Sequence, residues 1–175
     1  MTQQDSRMQE AREYIRHQSG KALGDLAALM ERTSAECARA LDGVSDEQAA
    51  FHPDEEWSIK QVVEHMLSSG AAVNREIENL VEGAETAPPG RTGVTRAGDR
   101  PMAELRERMG VLWHETCELV ASSSPDAMPA ATWDHPIFGP LNFKEWIAFQ
   151  RLHALDHVQQ MEKVKAHADY PAPVA

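Results

Sequence analysis

Ile59, Val62, Met66, Val73, Ile77 and Leu80 return at steps of three, four or seven residues, the spacing that lays side chains along one face of a helix of 3.6 residues per turn. Three further stretches repeat the pattern: Leu23, Leu26, Met30, Thr33, Cys37, Leu41 and Val44; Met102, Leu105, Met109, Trp113, Thr116 and Val120; and Trp146, Phe149, His153, His157, Gln160 and Val164. The period-two alternation of a half-buried strand is almost absent. Each apolar stripe has to be covered by another element, and four stripes of similar length cover one another in an all-α, up-down four-helix bundle. The expected helices run from 23 to about 44, from 58 to about 82, from 101 to about 121 and from 142 to about 167. With 175 residues, one domain is the economical reading. Residues 1–20 form an N-terminal helical extension, in which 5–18 either continue the first helix or make a short separate one; 21–168 form the bundle and 169–175 a tail.

Two helix starts are unusually well marked. In "WSIKQV" Ser58 is an N-cap with Gln61 three residues on, and in "LNFKEW" Asn142 stands to Glu145 in the same way, two capping boxes. Trp57 and Leu141 stand before the caps, where a hydrophobic staple would pack them on Val62 and Trp146. Long connections separate helices two and three, 83–99, and helices three and four, 122–141; the first is rich in Gly, Pro and Thr and the second carries Pro125, Pro129, Pro136 and Pro140.

Composition excludes several classes of function. Seventeen Lys and Arg against 28 Asp and Glu leave a formal charge of −11, so nucleic acid is not an expected partner. No apolar run is long enough to span a bilayer, so no membrane role is expected, and the polar start "MTQQDSRMQE" does not read as a signal peptide. Cys37 and Cys117 both fall inside expected helices, where they read as small core residues in a reducing, cytoplasmic protein.

The histidines carry the functional signal. Of eight, His17 and His167 lie near the chain ends, His114 lies off its helix's apolar stripe, and His52 and His135 each precede a proline and read as loop residues. His153 and His157, by contrast, sit four apart in the middle of the stripe of helix four, and His65 flanks that of helix two with Ser69 one turn on. If both helices start at the same end, His65 lies about 10 Å inside its helix and the pair about 16 to 22 Å inside theirs. They share a level when helix four starts a turn or so higher. A pair at i, i+4 with a third imidazole from a neighbouring helix makes a three-nitrogen set with an open position, as in catalytic zinc sites. The alternative is a hydrogen-bonded core pair. Spacing rejects a zincin, because Ala154 follows His153 where Glu is needed, and a ferritin-like di-iron site, because Val62, Gln150 and Ala154 stand three before the histidines. A two-His-one-carboxylate site would need Glu64 or Asp156 to turn inward. Three neutral imidazoles favour Zn or Ni over Mg or Ca.

The stretches "FHPDEEWSIKQVVEHML" and "HPIFGPLNFKEWIAFQRLHALDHVQQM" resemble, in order, the DinB-like (DinB/YfiT) superfamily of bacterial four-helix bundles. The resemblance covers about 21–165 and rests on Trp57 and Ser58, the lone His65, and His153 and His157 followed by Gln160. It implies a divalent ion, most often nickel or zinc, held by His65, His153 and His157, and relatives that include thiol-dependent transferases and isomerases. The chain departs from the pattern at Gln159, where many members carry a small residue.

Two functions are expected to compete. The first is a metal-dependent enzyme acting on a small molecule, most plausibly by transfer of a low-molecular-weight thiol activated as a metal-bound thiolate; the same site could carry hydroxide for hydrolysis. Gln160 is a candidate to orient substrate or a ligand ring, and His52 and His135 are candidate acid/base or fourth-ligand groups. The pocket is expected to open towards 43–57 and 122–141, lined by some of Trp57, His52, His135 and Phe138, with the 83–100 connection at the opposite end. The second is a non-catalytic metal-binding bundle that forms a homodimer through leftover apolar faces of its first helix.

Overall fold

The structure is a computed structural model that describes residues 3–53, 56–82, 98–123 and 131–172, with side chains from residue 5. Most of the 83–99 connection, Pro125 and Pro129, and the last residues of the tail lie outside the described residues. The fold is all-α: α1 (Gln3–Ser19), α2 (Leu23–Leu41), α3 (Asp46–Ala50), α4 (Ile59–Glu82), α5 (Met102–Ser122) and α6 (Phe143–Lys165), with a small hairpin of β1 (Trp133–His135) and β2 (Gly139–Leu141). The four long helices match the four stripes to within a few residues. No helix of the described residues is long and apolar enough to cross a membrane.

α2 and α4 each pack against both α5 and α6, so they face one another across the bundle. Side-chain bonds give the directions. Lys144 at the start of α6 donates to the carbonyl of Lys21 at the start of α2, so these two run parallel. Arg106 near the start of α5 donates to the carbonyls of Leu41 and Val44, where α2 ends. Thr116 bonds Asn74, and Arg100 bonds Glu64, which makes α4 and α5 parallel neighbours. Gly70 lies beside Gln150 and Glu56 pairs with Lys163, so α4 and α6 are antiparallel. The order is therefore up, down, down, up. This corrects the expectation that helices two and four start at the same end.

The correction removes the difficulty over depth. In antiparallel helices, residues early in α4 meet residues late in α6, and His65 reaches the level of His153 and His157 with no offset of the helix starts. It also relocates the connections: residues 43–53 and 56–58 lie at the end where α6 finishes, whereas residues 131–142 lead into α6 at the opposite end, and residues 98–100 return beside Glu64 near the start of α4.

Both capping boxes form. Ser58 and Gln61 exchange bonds of 3.2 and 2.9 Å, and Asn142 and Glu145 bonds of 3.0 and 2.9 Å. A third box, Ser45 with Gln48, starts α3. Residues 3–19 make a separate helix that packs on α6 and contributes Ile15 to the core.

The hairpin is a departure from the irregular connection expected over 122–141. It pairs Trp133 with Leu141 and His135 with Gly139. Gly139 takes a φ of +74°, which a side chain would oppose. The His135 Nδ1 accepts the backbone N–H groups of Ile137 and Phe138 at 3.1 and 3.2 Å, so the turn is closed by a side chain.

Candidate metal centre

Ser58 sets where α4 begins, and seven residues on His65 projects from its α6-facing side. Successive turns of α6 present Phe149, His153, His157 and Gln160. One ring nitrogen from each of His65, His153 and His157 lies within 4.8 Å of the other two. The Nε2 atom of His153 is 3.2 Å from that of His65 and 3.1 Å from that of His157. Nitrogens held about 2.1 Å from one tetrahedral ion stand roughly 3.4 Å apart, so this spacing is close to that of a ligand set. All three rings are half-buried.

Proton bookkeeping makes the arrangement informative. Gln160 Oε1 lies 2.9 Å from His157 Nδ1; an amide oxygen only accepts, so the ring proton is on Nδ1 and the His157 Nε2 presents a lone pair. The Nε2 of His153 has two imidazole nitrogens in front of it and one proton at most to offer. Meanwhile His65 Nδ1 is buried without a hydrogen-bond partner. In a core pair of histidines these deficits would be a cost with no return. A cation among the three Nε2 atoms turns converging lone pairs into bonds.

Electrostatics keeps those lone pairs free. Burial, with the His157 charge second, pushes His65 down to about 4. Burial first, then His157, His65 and His135, pushes His153 down to about 3. Burial also lowers His157, against the opposing effects of Gln160 and Asp156. At neutral pH the three rings are uncharged, the form in which imidazole ligates.

Aromatic rings wall the cluster. Trp57 meets His65 edge-on at 5.2 Å and lies parallel to His157 at 6.3 Å, so the side chain before the cap faces the imidazoles. Phe149 stacks on His153 at 5.6 Å. His135 packs on Phe149 at 4.3 Å and on Trp146 at 5.4 Å. It is only 8% exposed, and burial pushes its pKa to about 4. The solvated loop histidine expected there is thus a buried, neutral ring one aromatic layer from the cluster, because the hairpin folds it back onto α6.

The other candidates separate. Phe138 packs on Phe149 behind His135. His52 is exposed, and its neighbour Phe51 packs on His167 and Tyr170 beyond the end of α6. Glu64 is buried but turns away from the histidines to accept from Gly98 and Arg100; Asp156 is exposed. Cys37 is fully buried, and burial with Glu36 nearby pushes its thiol up to about 12. It is no nucleophile.

The model of the DinB superfamily matches residues 29–161, a span that includes α4 and α5, most of α2 and α6, and the three histidines. The chain belongs to the DinB superfamily. YuaE of Bacillus subtilis (strain 168), itself uncharacterized, is a similar protein, 23% identical over 143 residues that cover 71% of this chain and 88% of YuaE. This DinB-superfamily chain therefore combines the family's all-α fold with a three-histidine group able to hold a metal ion.

Proposed function

We propose that the protein is a metal-dependent enzyme acting on a small molecule, with thiol transfer as the reaction and His65, His153 and His157 as the ligands. The observation that carries the metal reading is the convergence of three neutral Nε2 atoms with too few protons to satisfy one another. The donor set, three imidazoles without a carboxylate, suits zinc or nickel. A bound divalent ion would supply Lewis-acid chemistry, lowering the pKa of a thiol or a water at a position the protein leaves open.

The chain's own residues do the rest. Gln160 holds His157 in the tautomer that offers Nε2, as second-layer partners of metal-bound histidines do. Trp57 and Phe149 shield the ring faces from water, which strengthens any charge interaction between them. His135 has its Nδ1 committed to backbone donors, so its proton is on Nε2, and in this neutral form it is a hydrogen-bond donor rather than a cation.

The test starts with element analysis of protein purified without an affinity tag, which should give one zinc or nickel per chain. Cobalt-substituted protein should then develop sulfur-to-metal charge-transfer absorption on addition of a small thiol. Absence of stoichiometric metal after reconstitution would sink the metal reading. An unchanged cobalt spectrum at saturating thiol would leave the metal and remove thiol transfer.

A further inference from the structure

A shorter side chain would suffice to close the hairpin turn. Asp and Asn accept backbone N–H groups in such turns routinely, yet this chain uses His135, whose Nδ1 accepts from Ile137 and Phe138. A neutral imidazole carries one ring proton, which is therefore on Nε2. That proton has no hydrogen-bond partner among the described residues. Burial alone lowers the His135 pKa, so no carboxylate stands close enough to claim it. The ring is 8% exposed, and a donor left unpaired at such burial costs stability. Turn closure explains Nδ1 and leaves Nε2 without a use.

The placement of the ring supplies one. His135 lies against Trp146 and Phe149, the two side chains of the inner stripe of α6 that come just before His153. Its centre is 4.3 Å from that of Phe149, which stacks on His153 at 5.6 Å. The two separations in series bound the distance between the His135 and His153 rings at about 10 Å. Because the turn holds Nδ1, Nε2 lies on the far side of the ring and points away from the turn. His135 also acts on His153 electrostatically, after burial, His157 and His65.

We propose that His135 is a substrate-contacting residue of the three-histidine centre, its Nε2–H donating to a carbonyl or carboxylate oxygen of the thiol that the centre binds. The proposal rests on the metal and thiol-transfer reading above and narrows its substrate class to thiols with an oxygen acceptor a few bonds from the sulfur. The aromatic cage strengthens such a bond, because little water competes for the donor. His135 is not a fourth ligand: its Nδ1 is occupied and its Nε2 protonated.

The probes are mercaptocarboxylates from mercaptoacetate to 6-mercaptohexanoate, titrated into full-length cobalt-substituted protein beside alkanethiols of matching length. At least one should bind about tenfold more tightly than its alkanethiol. His135→Asn places an amide oxygen where Nδ1 stood and so keeps the turn, which unchanged amide shifts at Ile137 and Phe138 verify. It should abolish the preference while leaving alkanethiol affinity and the thiol-free cobalt spectrum as in wild type. In zinc-loaded wild type, NMR of labelled histidine should show the Nε2–H tautomer of His135, with that proton shifted downfield by the mercaptocarboxylate and not by the alkanethiol. This readout needs no variant. Equal affinity for the two thiol classes, a preference that survives in His135→Asn, or a proton on Nδ1 would overturn the proposal alone. A thiol-free cobalt spectrum altered in His135→Asn would overturn it by making His135 a ligand. Protein that takes up no cobalt, or cobalt protein blind to every thiol, would remove the underlying reading and this proposal with it.

Discussion

Gln160 and Glu76 show how a single polar atom acquires a role from its surroundings. The Gln160 oxygen fixes the tautomer of His157. Gln160→Ala should weaken metal affinity by about 10- to 100-fold and leave the melting temperature of the chelated protein nearly unchanged; competition with a chromophoric chelator measures the first and calorimetry the second. Glu76 is 3% exposed with its Oε2 unpaired, and burial raises its pKa above 4.5, against the lowering effect of Arg75. A raised carboxyl pKa means that the folded state binds more protons than the unfolded one as pH rises past 4.5, so stability falls over that window. Glu76→Gln removes this loss. Urea denaturation should find the variant more stable than wild type at pH 7 and its advantage shrinking as pH falls towards 4.5; a variant less stable at pH 7 would show that the carboxylate is satisfied.

At the scale of elements, the helices are set by their starts and by how near they approach. A Cβ added at Gly70 would meet Leu112 Cδ2 at 2.7 Å and Gln150 Nε2 at 3.1 Å, whereas one added at Gly110 meets nothing within 4 Å. Gly70→Ala should destabilise the protein by about 1 kcal/mol, because overpacking outweighs the helix propensity gained. Gly110→Ala should stabilise it by about 0.5–1 kcal/mol. Urea midpoints should therefore move in opposite directions for the same chemical change. Losing the cap in Asn142→Ala should cost about 1 kcal/mol. Because α6 carries two of the three histidines, fraying there should also weaken metal binding.

For the molecule as a whole, the histidines join two helices that run in opposite directions, so an ion between them would bind the folded state alone. At a free metal concentration about 100 times Kd this is worth about 2.7 kcal/mol, roughly 5–10 °C of melting temperature for a chain of this size. Chelation should lower the melting temperature by that much. His153→Ala should abolish the sensitivity, because its Nε2 is the atom that faces both other rings. A His153→Ala protein that still holds one tight metal would place the site elsewhere.

Much of this was legible in the residues alone. Periodicity located the long helices, since an amphipathic stripe states its own need for cover. The capping boxes located the starts of α4 and α6, since those bonds are made within four residues. His65, His153 and His157 stood out because imidazoles on an apolar face contradict their neighbours. α3 had a readable signal in Ser45 and Gln48, but five residues carry too little periodicity to be seen without it. Other features came only with the tertiary structure. Helix direction was decided by long-range packing, and no local pattern in α4 or α6 says which way its partner runs; with that direction came the level at which the histidines meet. The strands of the hairpin have three residues each, too few to alternate, and only pairing and the contact of His135 with α6 make them a unit. Chemistry that repeats along one element was written in the sequence, and chemistry shared between elements waited for the fold to bring its parts together.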